Sequence, residues 1–547
     1  MRHICFSESP AKRGESAFRK YFPWFWLIAA YSFMVLFLIL YGRSVLDSDM
    51  ASEMILASKL NEEGGILSRS WYYSTELRVF CEQLLFKLGL TVFPSDWHAA
   101  RTLAQAILMA LLALSFLYFG FSTGLRTSIV YCAAAMMCPF GFWYMFHGSI
   151  GGFYFIHMLF VTTSLGLLCH LVTDENHRAL PLRLFLLGMV SLMAGMNGVR
   201  ILMNLYSPLV LAALAVYLIH LHETGKFEFI KCSEGKTVIF SFYTFFCALC
   251  GDLINSKILA PLYHFPVPKP FWRRLSLSRL LSAWSDFLSL FGYQSDRYFE
   301  VQVPLFSLGG LLNFFGLLLP AALLLALLRL CLHWKRLNFM PRLMTALLLS
   351  CLLVDGVVFA MLNDESAINA SYWLPVIPVC FVVLAQAGHT EQFRFPLTRR
   401  LLAAAFTVTI LGTSTATLHQ FVTEPPRAPK GIQQVCAWLQ ENGYTQGYAT
   451  FWYSNVLTEL SNGQIEMWTA ADLSTLQTTQ WLQSTSHDVP PQNGPVFILA
   501  LAGELSQLPY YSDSAIVYRD DYGYTILAYD SAETVLHLIS QQTASSS

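Results

Sequence analysis

Charge is what this chain of 547 residues has least of. Asp, Glu, Lys and Arg together make up 13% of it, about half of the roughly 25% found in soluble domains. Hydrophobic residues make up 55%, aromatics 15%, and the mean hydropathy is +0.48. So little charge points to lipid as the solvent for most of the chain. The net charge of −1 leaves no basic surplus, which argues against a nucleic-acid-binding surface. Cysteine is present twelve times but follows no disulfide or metal-ligand spacing. Cys132, Cys138, Cys169, Cys247, Cys250, Cys351 and Cys380 fall in apolar runs, where the thiol acts as a small hydrophobe. A cleavable signal peptide is not recognised, because the first apolar run is long and others follow it.

Apolar runs are there in number. A hydrocarbon core of about 30 Å needs about 20 apolar residues per helix, and that window gives about eleven spans: Pro23–Gly42, Thr102–Phe121, Ser128–Phe146, Ile150–Val172, Leu182–Val199, Met203–His220, Thr237–Ile254, Pro304–Leu332, Leu343–Leu362, Tyr372–Gly388 and Leu401–Leu418. The fifth and sixth are divided by Gly195-Met196-Asn197-Gly198-Val199-Arg200. With a cytoplasmic N-terminus, Lys and Arg gather on one side: Lys12, Arg13, Arg19 and Lys20, then Arg126, Arg178 and Arg183. Lys226, Lys231 and Lys236 follow, then Lys335, Arg336 and Arg342, and Arg394, Arg399 and Arg400. The short turns His147–Gly151 and Asn363–Ser371 have neither residue. This is the positive-inside pattern. It predicts a multi-pass protein of the plasma (inner) membrane, N-terminus in and C-terminus out. The domains expected are a cytoplasmic tail (1–22), a membrane domain (23–420) with large outer loops at 43–101 and 255–303, and an extracytoplasmic domain (421–547).

The outer loop after the first span opens with Asp47-Ser48-Asp49. Met50, Met54, Ala57 and Leu60 recur at helical spacing, as do Leu77, Phe80, Leu84 and Leu88, predicting two amphipathic helices in the membrane interface. Gly64-Gly65 makes a turn between them, and Trp71-Tyr72-Tyr73 an aromatic patch for a sugar or the headgroup level. Two readings of the acids compete: a carboxylate that takes a proton from an attacking hydroxyl, and the cap of the helix starting at Met50.

One span, an acidic motif directly after it, two interfacial helices and then a bundle of spans resembles the GT-C class of integral-membrane glycosyltransferases, which includes protein mannosyltransferases and aminoarabinose transferases. The resemblance covers roughly residues 20–420 in layout. It implies a polytopic α-helical fold and transfer of a sugar from a polyprenyl-phosphate donor to an extracytoplasmic glycan, lipid or protein acceptor. Asp47 or Asp49 would then be the general base. Many members of the class carry a second acid near the turn between the third and fourth spans. Here that turn reads Trp143-Tyr144-Met145-Phe146-His147-Gly148-Ser149, without a carboxylate. His147 is therefore open to four roles: metal ligand, donor-phosphate contact, acceptor contact or structural residue. A divalent metal, Mg²⁺ or Mn²⁺, would fall to Asp47, Asp49 and His147.

A departing phosphate asks for cations. Lys269, Arg273 and Arg274 flank Pro270-Phe271-Trp272 in the second outer loop, and Arg200 closes the broken span; all four are candidate phosphate or sugar contacts, since Arg matches phosphate bidentately. Snorkelling to the headgroups is the competing role. Glu76 and Tyr72 are candidate supporting residues from the first loop. Asp355 is another, an acid inside an apolar run that needs a cavity or a partner, with Arg200 the expected partner. Asp252 lies near the outer end of its own span, and Asn363-Asp364-Glu365 reads as a solvated turn.

After about Pro425 the composition becomes that of a soluble α/β or α+β domain. A helix over Ile432–Leu439 should stop at Asn442-Gly443. Strands are expected at Tyr448–Tyr453, Gln464–Trp468, Pro495–Leu501, Ala515–Tyr518 and Tyr524–Tyr529, with a helix at Thr475–Ser484. The domain has no Gly-rich phosphate loop, nucleophile elbow or metal cluster, so acceptor recognition, a lid over the membrane site or a purely structural cap are its expected roles. Cys81 and Cys436 are the two outer cysteines free to pair. One rival to the enzyme is a transporter or lipid flippase, which would show broken helices in matching halves, where only one interrupted span is seen. A second is a scaffold protein whose outer domain binds a partner, which leaves the acids beside the membrane unexplained.

Overall fold

The computed structural model describes residues 17–173, 179–265, 272–293, 304, 306–361, 370–389, 396–423 and 428–546. Lys269 and the Asn363-Asp364-Glu365 turn lie outside them. Helix α1 (Ala17–Tyr41) leads into the long loop expected on the outer side, which carries α2 (Ser48–Glu63), β1 (Trp71–Tyr72) and α3 (Gln83–Val92). The bundle continues with α4 (Trp97–Ser122), α5 (Thr127–Met136), the single turn α6 (Phe142–Tyr144), α7 (Phe153–Thr173), α8 (Leu180–Gly195), α9 (Ser207–Thr224) and α10 (Ser233–Leu253). It ends with α11 (Leu277–Ser289), α12 (Leu308–Leu332), α13 (Phe339–Met361), α14 (Ile377–His389) and α15 (Pro396–Thr423).

Eight stretches among the described residues are long and apolar enough to cross a membrane. Of the eleven expected spans, the other three differ: α5 has 10 residues and α8 has 16, too short for a crossing, and Leu401–Leu418 lies in the 28-residue α15, which is not among the eight. The run Ser128–Phe146 breaks at Cys138-Pro139, since proline cannot donate into a continuing helix, and resumes as α6 and a π-helical turn at Met145–Ile150. The expected division after Gly195 is present. Gly198 has φ +102, and a Cβ there would lie 2.7 Å from a Glu76 carboxylate oxygen, so only glycine allows both the turn and the close approach.

The first outer loop is not a pair of interfacial helices. The stripe of α2 is buried by protein: Met54 and Ala57 pack with Phe86, Leu90, Trp97 and Ala100, and Leu56 and Leu60 with Trp71, Tyr73 and Leu77. An amphipathic face is satisfied by protein as readily as by lipid. Leu77 and Phe80 fall outside any helix, because polar side chains from the bundle hold their backbone. Asn197 accepts from the Phe80 amide (2.7 Å) and donates to its carbonyl (2.6 Å), and Asn255 donates to the Leu77 carbonyl (2.6 Å).

The C-terminal domain runs α16 (Ile432–Glu441), β2 (Gln446–Thr450), α17 (Phe451–Leu460), β3 (Glu466–Asp472), β4 (Gln477–Thr478), β5 (Gln483–Ser484), β6 (Val496–Leu501), β7 (Ile516–Arg519), β8 (Tyr524–Tyr529) and α18 (Ala532–Ser546). Six strands form one sheet in the order β4-β3-β2-β6-β8-β7, with β2 parallel to both neighbours and the other pairs antiparallel. Side chains alternate across a strand. Val496, Ile498 and Ala500 accordingly join one core with Val535 of α18, while Phe497 and Leu499 join another with Ile432, Val435, Val456 and Leu457 of α16 and α17. The sheet is buried on both faces, an α/β arrangement. Two local expectations fail. The run from Tyr448 turns into helix α17 at Phe451, and Thr475–Ser484 holds β4 and β5 in place of a helix. Leu476 and Leu482 there have φ of +55 and +50, a left-handed conformation that a helix does not tolerate. Cys81 and Cys436 are both free and buried; the Cys81 thiol donates to Glu82.

Candidate active site

The start of α2 is fixed by its own first acid. Asp47 is 1% exposed and its Oδ1 accepts from the Met50 amide at 2.8 Å, an N-cap. The Ser48 hydroxyl donates to the Phe451 carbonyl of the C-terminal domain. Asp49 begins the first turn, half-buried, and Glu53 follows four residues later on the same face.

Glu53 is 4% exposed and accepts from Arg78 Nη2 at 2.6 Å. Burial pushes its carboxyl up to about 7 against the pull of Arg78, with the negative charges of Glu82 and Asp49 adding to the rise. Arg78 also lies 3.5 Å from Glu82, which is fully buried, and 5.5 Å from the centroid of the Phe153 ring. Its guanidinium is held protonated by Glu53, Cys81, Glu82 and Glu76 against desolvation.

Next to this pair stands a second. Arg200 Nε is 2.6 Å from Glu76, Nη1 donates to the Tyr154 hydroxyl at 2.8 Å, and the guanidinium lies 4.3 Å from the Tyr372 ring centroid. The two arginines feel each other's charge. Ser52, Glu53, Leu56, Trp71, Tyr73, Ser74, Glu76, Arg78, Gln83 and Leu482 line a small cleft. Leu482, in its strained backbone, comes from the C-terminal domain, so that domain forms part of the wall.

Of the residues the sequence proposed, Glu76 lines the cleft and Arg200 grips it, while Asp49 stands one turn from Glu53. His147 is buried in the π-helical turn, stacked on Trp143 (5.4 Å between centroids) and edge-on to Tyr154 (5.9 Å). Tyr72 is drawn into domain docking. β1 pairs with β5, the Tyr72 hydroxyl donates to Asp488 Oδ2 at 2.5 Å, and that bond, before burial, raises its phenol to about 12. Arg273 and Arg274 are exposed beside the end of α13, where the Arg273 amide donates to the Met361 carbonyl at 2.8 Å; they do not line the cleft. The expected pair of Asp355 with Arg200 is not formed. Arg200 is taken by Glu76, and buried Asp355 has no hydrogen-bond partner among the described residues. Sequence reading missed Glu53, Arg78, Gln83 and Leu482. Glu53 alone carried a signal, its i+4 spacing from Asp49.

The donor set for a divalent metal is incomplete. Asp47, Asp49 and His147 do not converge as a three-ligand group among the described residues. The acids that do meet at the cleft, Glu53 and Glu76, each have an arginine at 2.6 Å, which supplies the positive charge a metal would bring.

A broken helical bundle capped by an α/β domain, with an acidic helix start against it, is the GT-C fold, and this integral membrane protein has it. Among solved structures, ArnT from Cupriavidus metallidurans in the apo state superposes with a TM-score of 0.55 at 12% identity, over 93% of this chain and 98% of that one. The same protein bound to undecaprenyl phosphate gives 0.53 at 13%, over 92% and 97%. The Archaeoglobus fulgidus oligosaccharyltransferase in complex with Zn and sulfate gives 0.51 at 12%, over 91% and 72%. These neighbours are GT-C glycosyltransferases. No family model and no curated protein sequence matches the chain.

Proposed function

We propose that the chain is a membrane glycosyltransferase that moves a sugar from a polyprenyl-phosphate donor to an acceptor hydroxyl or amide on the outer face, at the cleft beneath α2. The observation that carries this reading is the side-by-side placement of two ion pairs, Glu53–Arg78 and Glu76–Arg200, each at 2.6 Å, one turn of α2 from Asp49 in a GT-C fold. The chemistry needs a proton acceptor on one side of the anomeric carbon and a cation on the other. Asp47 is committed to capping, so Asp49 is the general base. It takes the acceptor proton as the acceptor atom bonds to the anomeric carbon. The carbon–oxygen bond to phosphate breaks, and its electron pair leaves on the phosphate oxygen.

Arg78 and Arg200 face that oxygen's developing charge, and their planar forks suit phosphate. Arg273, Arg274 and Lys269 serve the approach of the donor from the loop side. Glu53 and Glu76 hold the arginines in place. The neighbours bound to undecaprenyl phosphate and to sulfate support a lipid-phosphate donor for this fold.

The test is sugar transfer from a labelled polyprenyl-phosphate donor by the purified protein. Asp49→Asn should lower the turnover rate by about 10²–10⁴-fold with normal yield, and Asp47→Asn much less, since Asn also caps. Wild-type turnover in Asp49→Asn would remove the assignment. Movement of the lipid across vesicles without covalent transfer would make the protein a flippase.

A further inference from the structure

At the opposite end of α9 from Arg200 lies a second cluster, roughly 30 Å away at 1.5 Å per residue. His220 projects from the last turns of α9. Cys232 is the N-cap of α10 and Glu234 stands in its first turn. His220 Nδ1 is 3.5 Å from Glu234 Oε1, and these two atoms and the Cys232 sulfur all lie within 4.8 Å of one another. All three side chains are half-buried.

The connection holds them there. Gly225 ends α9 in the left-handed region at φ +67. The chain then folds back so tightly that a Cβ on Gly235 would lie 1.8 Å from the Phe229 carbonyl oxygen. Beneath the cluster Ala213, Tyr217 and Val238 form an apolar floor, with Phe229 and Cys232 packed on it. Tyr217, one turn before His220 on the same face, is buried, and its hydroxyl has no hydrogen-bond partner among the described residues.

We propose that His220, Cys232 and Glu234 bind a zinc-type divalent ion that clamps the α9–α10 turn, with the fourth position left to water beside the Tyr217 hydroxyl. One imidazole, one thiolate and one carboxylate form a borderline-soft donor set that selects zinc over magnesium or calcium. Tetrahedral bonds of about 2.0–2.3 Å place ligand atoms roughly 3.3–3.8 Å apart. The His220–Glu234 edge already has that length, and the sulfur closes by about 1 Å. Helix capping alone accounts poorly for the cysteine. The Gly235 amide donates to its sulfur at 3.3 Å, but serine is a far commoner cap.

That preference makes the decisive variant a gentle one, because Cys232→Ser keeps the cap and removes the soft ligand. Full-length protein, purified in detergent and stripped with a chelator, is titrated with Co²⁺. The expected result is one equivalent bound with a thiolate-to-cobalt charge-transfer band in the near ultraviolet, displaced by Zn²⁺ and absent in Cys232→Ser. His220→Ala and Glu234→Gln should each weaken Zn²⁺ binding by roughly 100-fold or more, beyond the loss of an outer-shell contact. Saturating Zn²⁺ should raise the melting midpoint of wild type but not of Cys232→Ser. Absence of the band in folded wild type, or an unchanged band in folded Cys232→Ser, overturns the proposal. The measurement needs no sugar transfer, so it stands or falls apart from the function proposed for the cleft.

Discussion

Asp47 and Asp49 are separated by one serine: Asp47 caps α2, and Asp49 is the general base proposed above. The cap role of Asp47 predicts that Asp47→Ala costs about 0.5–2 kcal/mol of stability, measured as a lower melting midpoint. Glu53 adds a pH signature. Its carboxyl ionises near 4.5 when unperturbed and at about 7 in the folded protein. Between those values the folded state keeps a proton that the unfolded chain has lost, so stability falls as pH rises through the window. Melting midpoints should decline from pH 5 to 7 in wild type, and the decline should be shallower in Glu53→Gln. An equal slope in the variant would remove Glu53 as its source. Because arginines neutralise the cleft acids, sugar transfer should persist in excess chelator. Loss of transfer, restored by Mg²⁺ or Mn²⁺, would require a metal there instead.

Between elements, the most exposed dependency is the tie from α4 to α17. Arg101 donates to both carboxylate oxygens of Glu459 at 2.6 and 2.7 Å and to the Met50 carbonyl at 2.8 Å, and both residues are buried. It thus joins a bundle helix, the acidic helix α2 and the outer domain. Burial raises the Glu459 carboxyl while Arg101 holds it down. Removing one partner of a buried pair leaves an uncompensated charge and costs about 3–5 kcal/mol. Arg101→Met should lower the melting midpoint and open the domain boundary to protease, and adding Glu459→Gln should recover part of the loss. Protection equal to wild type in Arg101→Met would show that the remaining ties, β1–β5, Ser48 to Phe451 and Tyr72 to Asp488, hold the domain without it.

At the scale of the whole molecule, the charge pattern predicts which side each end faces. Asn442 and Lys226 are both exposed. A membrane-impermeant maleimide should label Asn442→Cys from outside intact cells and label Lys226→Cys only after permeabilisation, each above the wild-type background. The reverse pattern would invert the topology. If the topology holds, the cleft opens on the outer face and the His220–Cys232–Glu234 cluster on the inner one.

How much of this was legible follows from the range of the forces involved. Long apolar runs, the break at Gly195–Arg200, the cap at Asp47 and the stop at Asn442-Gly443 are written locally, because lipid, backbone sterics and N-cap bonds act over a few residues. The continuous apolar run Val496–Leu501 likewise fits a strand buried on both faces. Only tertiary structure decided the rest. Asn197 and Asn255 bind backbone more than a hundred residues away and so cancel the helix that Leu77 and Phe80 suggest. Arg200 meets Glu76 in place of Asp355, and Arg78 pairs with Glu53 at a distance that no spacing rule anticipates. The Asp-Ser-Asp triplet marked the start of α2 through the cap at Asp47; long-range ion pairing, which depends on where separate elements come to rest, brought Arg78 to Glu53 and Arg200 to Glu76.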